Sequence, residues 1–343
     1  MRLAVLFNKN NDGPDRILHA VAENLSLAFR RHEIISHSLF GAGFFKNQTL
    51  VVDADSSYYG DDYKRKVKDA VISLYHAGAD RFITVGGDGL AAYVADALIT
   101  HCEQSGKPVP PLAGVAAGTA NVGPIVSIPA DKISSLDIEN SYIVPTGGVA
   151  VYDGDKRLGF AFNDAVIGNT FLGTLGKDVV NLSVEAMAVY GRQEAMRPGE
   201  IIATEAFSIT SDGSVLCRVE EFPVDTIKQI IVSPLQFDRL YGRAIMGQLI
   251  KGAYRPDVAA LVISDRILVA FGDDANQSRC STVRQLVFDA YERIELHGLG
   301  PHAHIIIDGN PYVRQTDQVA FSYLPKVIPV WRANGVGLDH ESR

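Results

Sequence analysis

Apolar and polar positions change rhythm part-way along this chain. Leu3 to Phe7 is an unbroken apolar run, read as a strand. Behind Asp12, Pro14 suits a first helical turn, and Ile17, Leu18, Val21, Leu25 and Phe29 then form one apolar stripe. Val67, Val71, Leu74 and Tyr75 repeat the helical pattern and stop at Gly78. A short strand from Arg81 leads into Gly86, and Leu90, Ala91, Val94, Ala95, Leu98 and Ile99 recur at helical spacing up to Gly106. Leu112 to Ala117 reads as a further buried strand. Such alternation predicts parallel strands with right-handed crossovers. After about Pro145, short β-type runs are punctuated by Asp153-Gly154, Asp212-Gly213 and Asp308-Gly309, dipeptides that supply the positive φ of tight hairpins. Val149–Tyr152 is expected to pair with Leu158–Ile167, Ala206–Thr210 with Val215–Val219, and His304–Ile307 with the run from Tyr312. The expected architecture is an α/β N-terminal domain with a parallel sheet (1–145), a predominantly antiparallel β-sandwich C-terminal domain with few helices (146–330), and a polar tail (331–343).

The chemistry concentrates where the first domain's strands end. Gly86-Gly87-Asp88-Gly89 wraps three glycines around one carboxylate and opens a helix, whose N-terminus favours bound anions. With few side chains in the way, backbone N–H groups can approach phosphate oxygens, and Gly87 is expected in a conformation closed to residues with a Cβ. A plain strand-to-helix turn with Asp88 as its cap is the competing account. Gly118-Thr119-Ala120-Asn121-Val122-Gly123-Pro124 follows the next strand, so two such loops can line one crevice at the carboxyl ends of a parallel sheet. Farther on, Asn163-Asp164 interrupts an apolar run between Phe160-Ala161-Phe162 and Ala165-Val166-Ile167. Asn-Asp could simply terminate a strand; the reading favoured here is functional, since polar groups in such a setting need partners and this pair can hold an adenine edge or ribose hydroxyls in a cleft closed by the two domains. His297, His302 and His304 lack a Glu or Cys to complete a zinc pattern, and His304 reads as structural. Tyr241-Gly242-Arg243 could face a phosphate, Arg243 equally a surface residue, and Gly41-Ala42-Gly43-Phe44-Phe45 has no assignable chemistry.

Composition narrows the class. The 343 residues are 47% hydrophobic, which excludes a disordered chain, and charges interrupt every apolar run well short of a membrane span. A net charge of −8 lacks the positive field expected of a protein that binds nucleic acid or an anionic membrane. The basic run Lys64-Arg65-Lys66-Val67-Lys68 reads as a solvated helix face. Cys102, Cys217 and Cys280 are scattered, without metal spacing, as in a reducing cytoplasm. The expected partners are small-molecule nucleotides and a second copy of the chain in a homodimer, without nucleic acid or membrane.

Gly86-Gly87-Asp88-Gly89 followed by Gly118-Thr119-Ala120-Asn121 resembles the NAD kinase, diacylglycerol kinase and sphingosine kinase superfamily. Ala117 to Pro124, with Asn163-Asp164 and the late Asp-Gly hairpin Ile306-Ile307-Asp308-Gly309-Asn310, is most similar to the ATP-NAD kinase branch that includes the acetoin-catabolism X proteins. Asn8 sits where related kinases have a phosphate-side loop. The resemblance implies transfer of a phosphoryl group from ATP or polyphosphate to the 2′-hydroxyl of NAD, with Mg²⁺ carried by the phosphates and no metal ligand from the protein. It implies Asp88 as the catalytic residue and Gly86, Gly87 and Gly89 at the phosphates. Gly118, Thr119 and Asn121 would form the facing wall, with Asn163 and Asp164 at the nucleoside. The sequence departs from the family at Leu90, where a threonine is usual, and in lacking a clear Thr-Gly-Ser-Thr-Ala-Tyr segment. A catalytically weak nucleotide sensor and a diacylglycerol-type lipid kinase are the alternatives.

Overall fold

A computed structural model of the chain describes residues 1–8, 15–45, 49–53, 62–117, 121, 123–136, 140–176, 178–218, 227–235, 257–269 and 282–333. The chain divides into two compact units, Met1–Thr146 together with Lys326–Arg343, and Gly147–Pro325.

The first unit alternates strand and helix: β1 (Arg2–Phe7), α1 (Asp15–Ala28), β2 (Glu33–His37), β3 (Thr49–Val52), α2 (Tyr63–His76), β4 (Arg81–Gly86), α3 (Asp88–Ser105), β5 (Leu112–Ala116) and β6 (Val126–Pro129). The strands lie in the order β3-β2-β1-β4-β5, every neighbouring pair parallel, and β6 joins β5. Leu3, Val5, Phe7, Ile83 and Val85 pack with Leu18, Val21 and Leu25 of α1 and with Phe29 just beyond it. Ala4, Leu6 and Phe82, which point the other way along their strands, are fully buried as well. Helices on both faces explain why these strands read as continuous apolar runs. Ile17 departs from its expected place in the stripe. It is 50% exposed, because at 3.6 residues per turn it lies about 100° from the line through Leu18, Ala22, Leu25 and Phe29.

Val330, in the chain's last strand, pairs in parallel with Leu112. Trp331 is buried against Phe29, ring centroids 5.8 Å apart. The division at 146–330 and the polar tail from 331 are therefore corrected: the apolar run Ile328 to Trp331 belongs with the first unit's core. Residues 334–343 lie outside the described residues.

The second unit contains β7 (Ser141–Asp153), which enters from the first, then β8 (Lys156–Ala161), β9 (Ala165–Gly168), β10 (Thr170–Leu175), β11 (Asp178–Ser183) and α4 (Val184–Tyr190). There follow β12 (Ala203–Ser211), β13 (Ser214–Arg218), β14 (Gln229–Leu235), β15 (Val258–Ser264), β16 (Val283–Asp289), β17 (Arg293–Leu299), β18 (His304–Ile307), β19 (Asn310–Tyr312) and β20 (Val319–Ala333), whose residues from Lys326 onward belong to the first unit. A sheet of order β16-β15-β14-β9-β18-β19 is antiparallel throughout. Its Ile167, Ile230, Val232, Leu261 and Ile305 meet Val149, Phe207, Ile209, Ile294, Leu296 and Phe321, which come from β7, β12, β17 and β20. Its other face, with Val166, Ile231, Val262 and Ile306, is covered by Phe171, Leu182 and Val184 from β10, β11 and α4. With both faces covered, β14 and β15 are buried along their whole length.

The hairpins fall close to where the dipeptides placed them. Asp212 and Gly213 (φ 47° and 79°) and Asp308 and Gly309 (φ 47° and 80°) form two-residue turns with the positive φ these connections need. At the first hairpin the turn is one residue later than expected, at Gly154-Asp155 with Gly154 at φ 59°. Asp153 stays in the strand, and its carboxylate accepts from the Gln315 and Thr316 amides and the Thr316 hydroxyl. The expected strand 158–167 is split at Phe162–Asp164 into β8 and β9. Among the described residues no helix is long and apolar enough to cross a membrane.

Candidate functional site

The strand order of the first unit reverses between β1 and β4: β2 and β3 extend to one side and β5 to the other. In open α/β sheets the crevice outside the strand ends at such a point is where ligands bind. Asn8 and Gly86 occupy it. The Asn8 amide hydrogen bonds to the Val85 carbonyl at 2.9 Å, and the Tyr63 hydroxyl donates to Asn8 Oδ1 at 3.2 Å. Burial pushes the Tyr63 phenol far above its ordinary range, so it stays protonated and able to donate. A Cβ built on Gly86 would stand 2.9 Å from Asn8 Cβ. Close approach of the neighbouring strand end is thus one reason for glycine at 86.

Gly87 behaves differently from the expectation. Its φ of −102° and ψ of −175° are ordinary extended backbone, open to any residue, so conformational strain does not require glycine there. It occupies the N-cap position of α3 without a side-chain cap, and Asp88 and Gly89 are the first helical residues. A carboxylate in a first turn complements the helix dipole. Leu90 is only 2% exposed, its side chain committed to the core.

The two glycine loops come together. Gly86 and Ala116 are partners in the β4–β5 ladder, and the Ala117 amide donates to the Gly86 carbonyl at 3.1 Å. The Gly123 amide donates to Asp88 Oδ2 at 3.0 Å. A Cβ on Gly123 would lie 2.9 Å from Asp88 Oδ1 and 3.1 Å from its Cγ, so the second loop needs glycine at 123 to seat the carboxylate of the first. The sequence pattern alone assigns Gly123 no role; a glycine directly before a proline is the signal it offers. Asn121 is half-buried in the same loop, whereas Gly118 and Thr119 lie outside the described residues.

In the second unit, Asn163 and Asp164 occupy the break between β8 and β9. Asn163 Nδ2 donates to Asp164 Oδ2 at 3.1 Å, and the Ser233 hydroxyl donates to the Asn163 carbonyl at 2.5 Å. Asp308 is 6% exposed and accepts from the amides of Phe162, Asn163 and Asp164 at 2.8, 2.8 and 3.0 Å. In sequence its Asp-Gly dipeptide signals a turn; that its carboxylate organises residues 144–146 positions away follows only from the fold.

The weaker candidates have ordinary settings. His297 Nε2 lies 3.1 Å from the Thr210 hydroxyl and 3.6 Å from Glu295 Oε2, and the Arg293 guanidinium holds the Glu295 carboxyl below its usual range. His304 is buried, and desolvation lowers its pKa. Arg65 approaches Asp69 one turn on at 3.9 Å on the exposed side of α2, whereas Lys64 departs from the solvated face read in the sequence and pairs with Asp96 of α3 at 3.3 Å, over the Tyr93 ring. Cys102 is buried and Cys217 half-exposed. Tyr241-Gly242-Arg243 and Cys280 fall outside the described residues.

Residues 45–137 match the diacylglycerol kinase catalytic domain. The matched stretch contains α2, β4, α3, β5 and β6, and with them both glycine loops. Among solved structures, yeast NADH kinase complexed with NADH is similar over 96% of this chain and 82% of its own, with 12% identity and a TM-score of 0.52. A candidate diacylglycerol kinase from Bacillus anthracis str. Sterne is similar over 96% of both chains, with 13% identity and a TM-score of 0.50. At these identities the likeness is one of fold. No curated protein matches the sequence.

Proposed function

We propose that this chain is a phosphotransferase that moves the terminal phosphoryl group of ATP to the adenosine-ribose 2′-hydroxyl of NAD, as in the ATP-NAD kinase branch that includes the acetoin-catabolism X proteins. The observation that carries the reading is Asp88, placed at the start of α3 and fixed by the Gly123 amide. In the reaction the acceptor oxygen attacks the terminal phosphorus, the bond to the ADP oxygen breaks, and Asp88 orients the hydroxyl and takes its proton. Gly86, Gly87 and Gly89 give the phosphates room at the N-terminus of α3; Asn121 stands in the facing loop, where the resemblance would add Gly118 and Thr119, which lie outside the described residues. Mg²⁺ would be carried by the phosphate chain. Asn163 and Asp164 take the nucleoside of the acceptor, the amide offering donor and acceptor and the carboxylate accepting from ribose hydroxyls.

A second reading, phosphorylation of a diacylglycerol-type lipid, is favoured by the family matched over residues 45–137. Incubation with ATP and Mg²⁺ and either NAD or diacylglycerol in mixed micelles separates the two. Formation of NADP without phosphatidate supports the first, the reverse supports the second, and binding of nucleotide without either product identifies a sensor.

A further inference from the structure

The first unit's loops do not explain why a carboxylate is buried at Asp308. Turn geometry does not require it, because Asp212 adopts the same φ of 47° in an equivalent Asp-Gly hairpin with its side chain exposed. What distinguishes Asp308 is what it holds. Successive amides of a strand point to opposite sides and cannot converge on one group. Those of Phe162, Asn163 and Asp164 do converge on this carboxylate. The Asp308 amide returns a bond to the Asp164 carbonyl at 3.0 Å. The break so enforced is the corner where the chain leaves β8, paired with β7, for β9, paired with β14 and β18.

We propose that Asp308 is the positioning residue that sets Asn163 and Asp164 for ligand, with Ser233 clamping the corner from the Asn163 carbonyl; this rests on the reading of that pair as the nucleoside site. Asp308→Asn keeps the side-chain volume but turns one acceptor oxygen into an N–H donor facing a backbone N–H. Three measurements test it: amide hydrogen exchange at residues 162–164, calorimetric affinity for NAD, and the same affinity in an Asn163→Ala/Asp164→Ala background. Exchange at these amides accelerates in the variant. NAD binding weakens about 10-fold to 100-fold, the scale of losing a hydrogen bond to a charged buried group. In the double-alanine background Asp308→Asn causes no further weakening, since its effect passes through the pair.

Faster exchange with unchanged NAD affinity would make Asp308 a purely structural corner and overturn the proposal, while the function stands if the double-alanine protein binds NAD poorly. Wild-type affinity in the double-alanine protein would instead remove the nucleoside reading, and this proposal with it. Should Asp308→Asn fail to fold, Ser233→Ala removes the opposite tie and is expected to weaken NAD binding in the same direction by a smaller factor. Unchanged exchange and affinity there would overturn the proposal equally.

Discussion

Replacing Gly123 with alanine isolates the contact between the two glycine loops without touching a charge. The added Cβ would lie 2.9 Å from Asp88 Oδ1 and 3.1 Å from Cγ, several tenths of an ångström inside ordinary contact. The Asp88 carboxylate ends a short side chain and can rotate, so it gives way before the backbone does. Loss of its bond from the Gly123 amide costs about 1 kcal/mol, and an off-rotamer side chain costs about 1 kcal/mol more. Part of this is offset because alanine restricts the unfolded chain, by roughly 0.4–1 kcal/mol. The net loss of stability is therefore about 1 kcal/mol, or ~2 °C in melting temperature. A misplacement near 1 Å in a catalytic group, by contrast, can cost on the order of 100-fold in rate. Phosphoryl transfer and thermal melting measured on Gly123→Ala should thus part company, with transfer falling about 100-fold while the protein stays folded. Gly43→Ala is the control, since nothing lies within 4 Å of a Cβ there, and both its activity and its melting should stay near wild type. Full activity in Gly123→Ala would show that the seating of Asp88 against this loop has no part in catalysis.

Asp88→Asn should lower turnover about 100-fold to 10,000-fold, the range of general-base loss, with nucleotide affinity by calorimetry little changed; near-normal turnover would eliminate Asp88 as the base. Trp331→Ala should destabilise the protein by about 3–5 kcal/mol, as expected for a large buried aromatic, read from the urea midpoint; a loss below ~1 kcal/mol would mean that the last strand is dispensable to the first unit's core. Desolvation lowers the pKa of His304 below its ordinary 6.5, opposed by Glu185 and aided by Arg314 and His302. Between the two values the unfolded chain binds the proton and the folded one resists it, so stability is full above 6.5, falls as pH drops through it, and levels off below the folded value. Urea midpoints at pH 7.5 and 5.5 should show a smaller acid-side loss in His304→Asn than in wild type, and equal losses would contradict the sign.

Local order was largely determined by the chain's own pattern. Strands buried on both faces appear as apolar runs such as Leu3–Phe7, helices as stripes such as Leu90 to Ile99, and hairpins as Asp-Gly pairs, because each depends on neighbours within a few residues. The glycine loops and Asp88 were legible for the same reason: a strand end, a turn and a helix start are contiguous. What tertiary structure alone decided were the bonds that close long loops. The Gly123 amide finds Asp88, Val330 pairs with Leu112 and draws Trp331 back into the first unit, and Asp308 gathers the amides of residues 162–164. Gly87, which looked like the residue in need of a missing side chain, has ordinary backbone angles, while Gly86 and Gly123 need it because other segments press on them. Whether a glycine is required by its own φ or by a neighbour's approach depends on distances between segments remote in sequence, and those follow only once the sheet order and the loop closures are set.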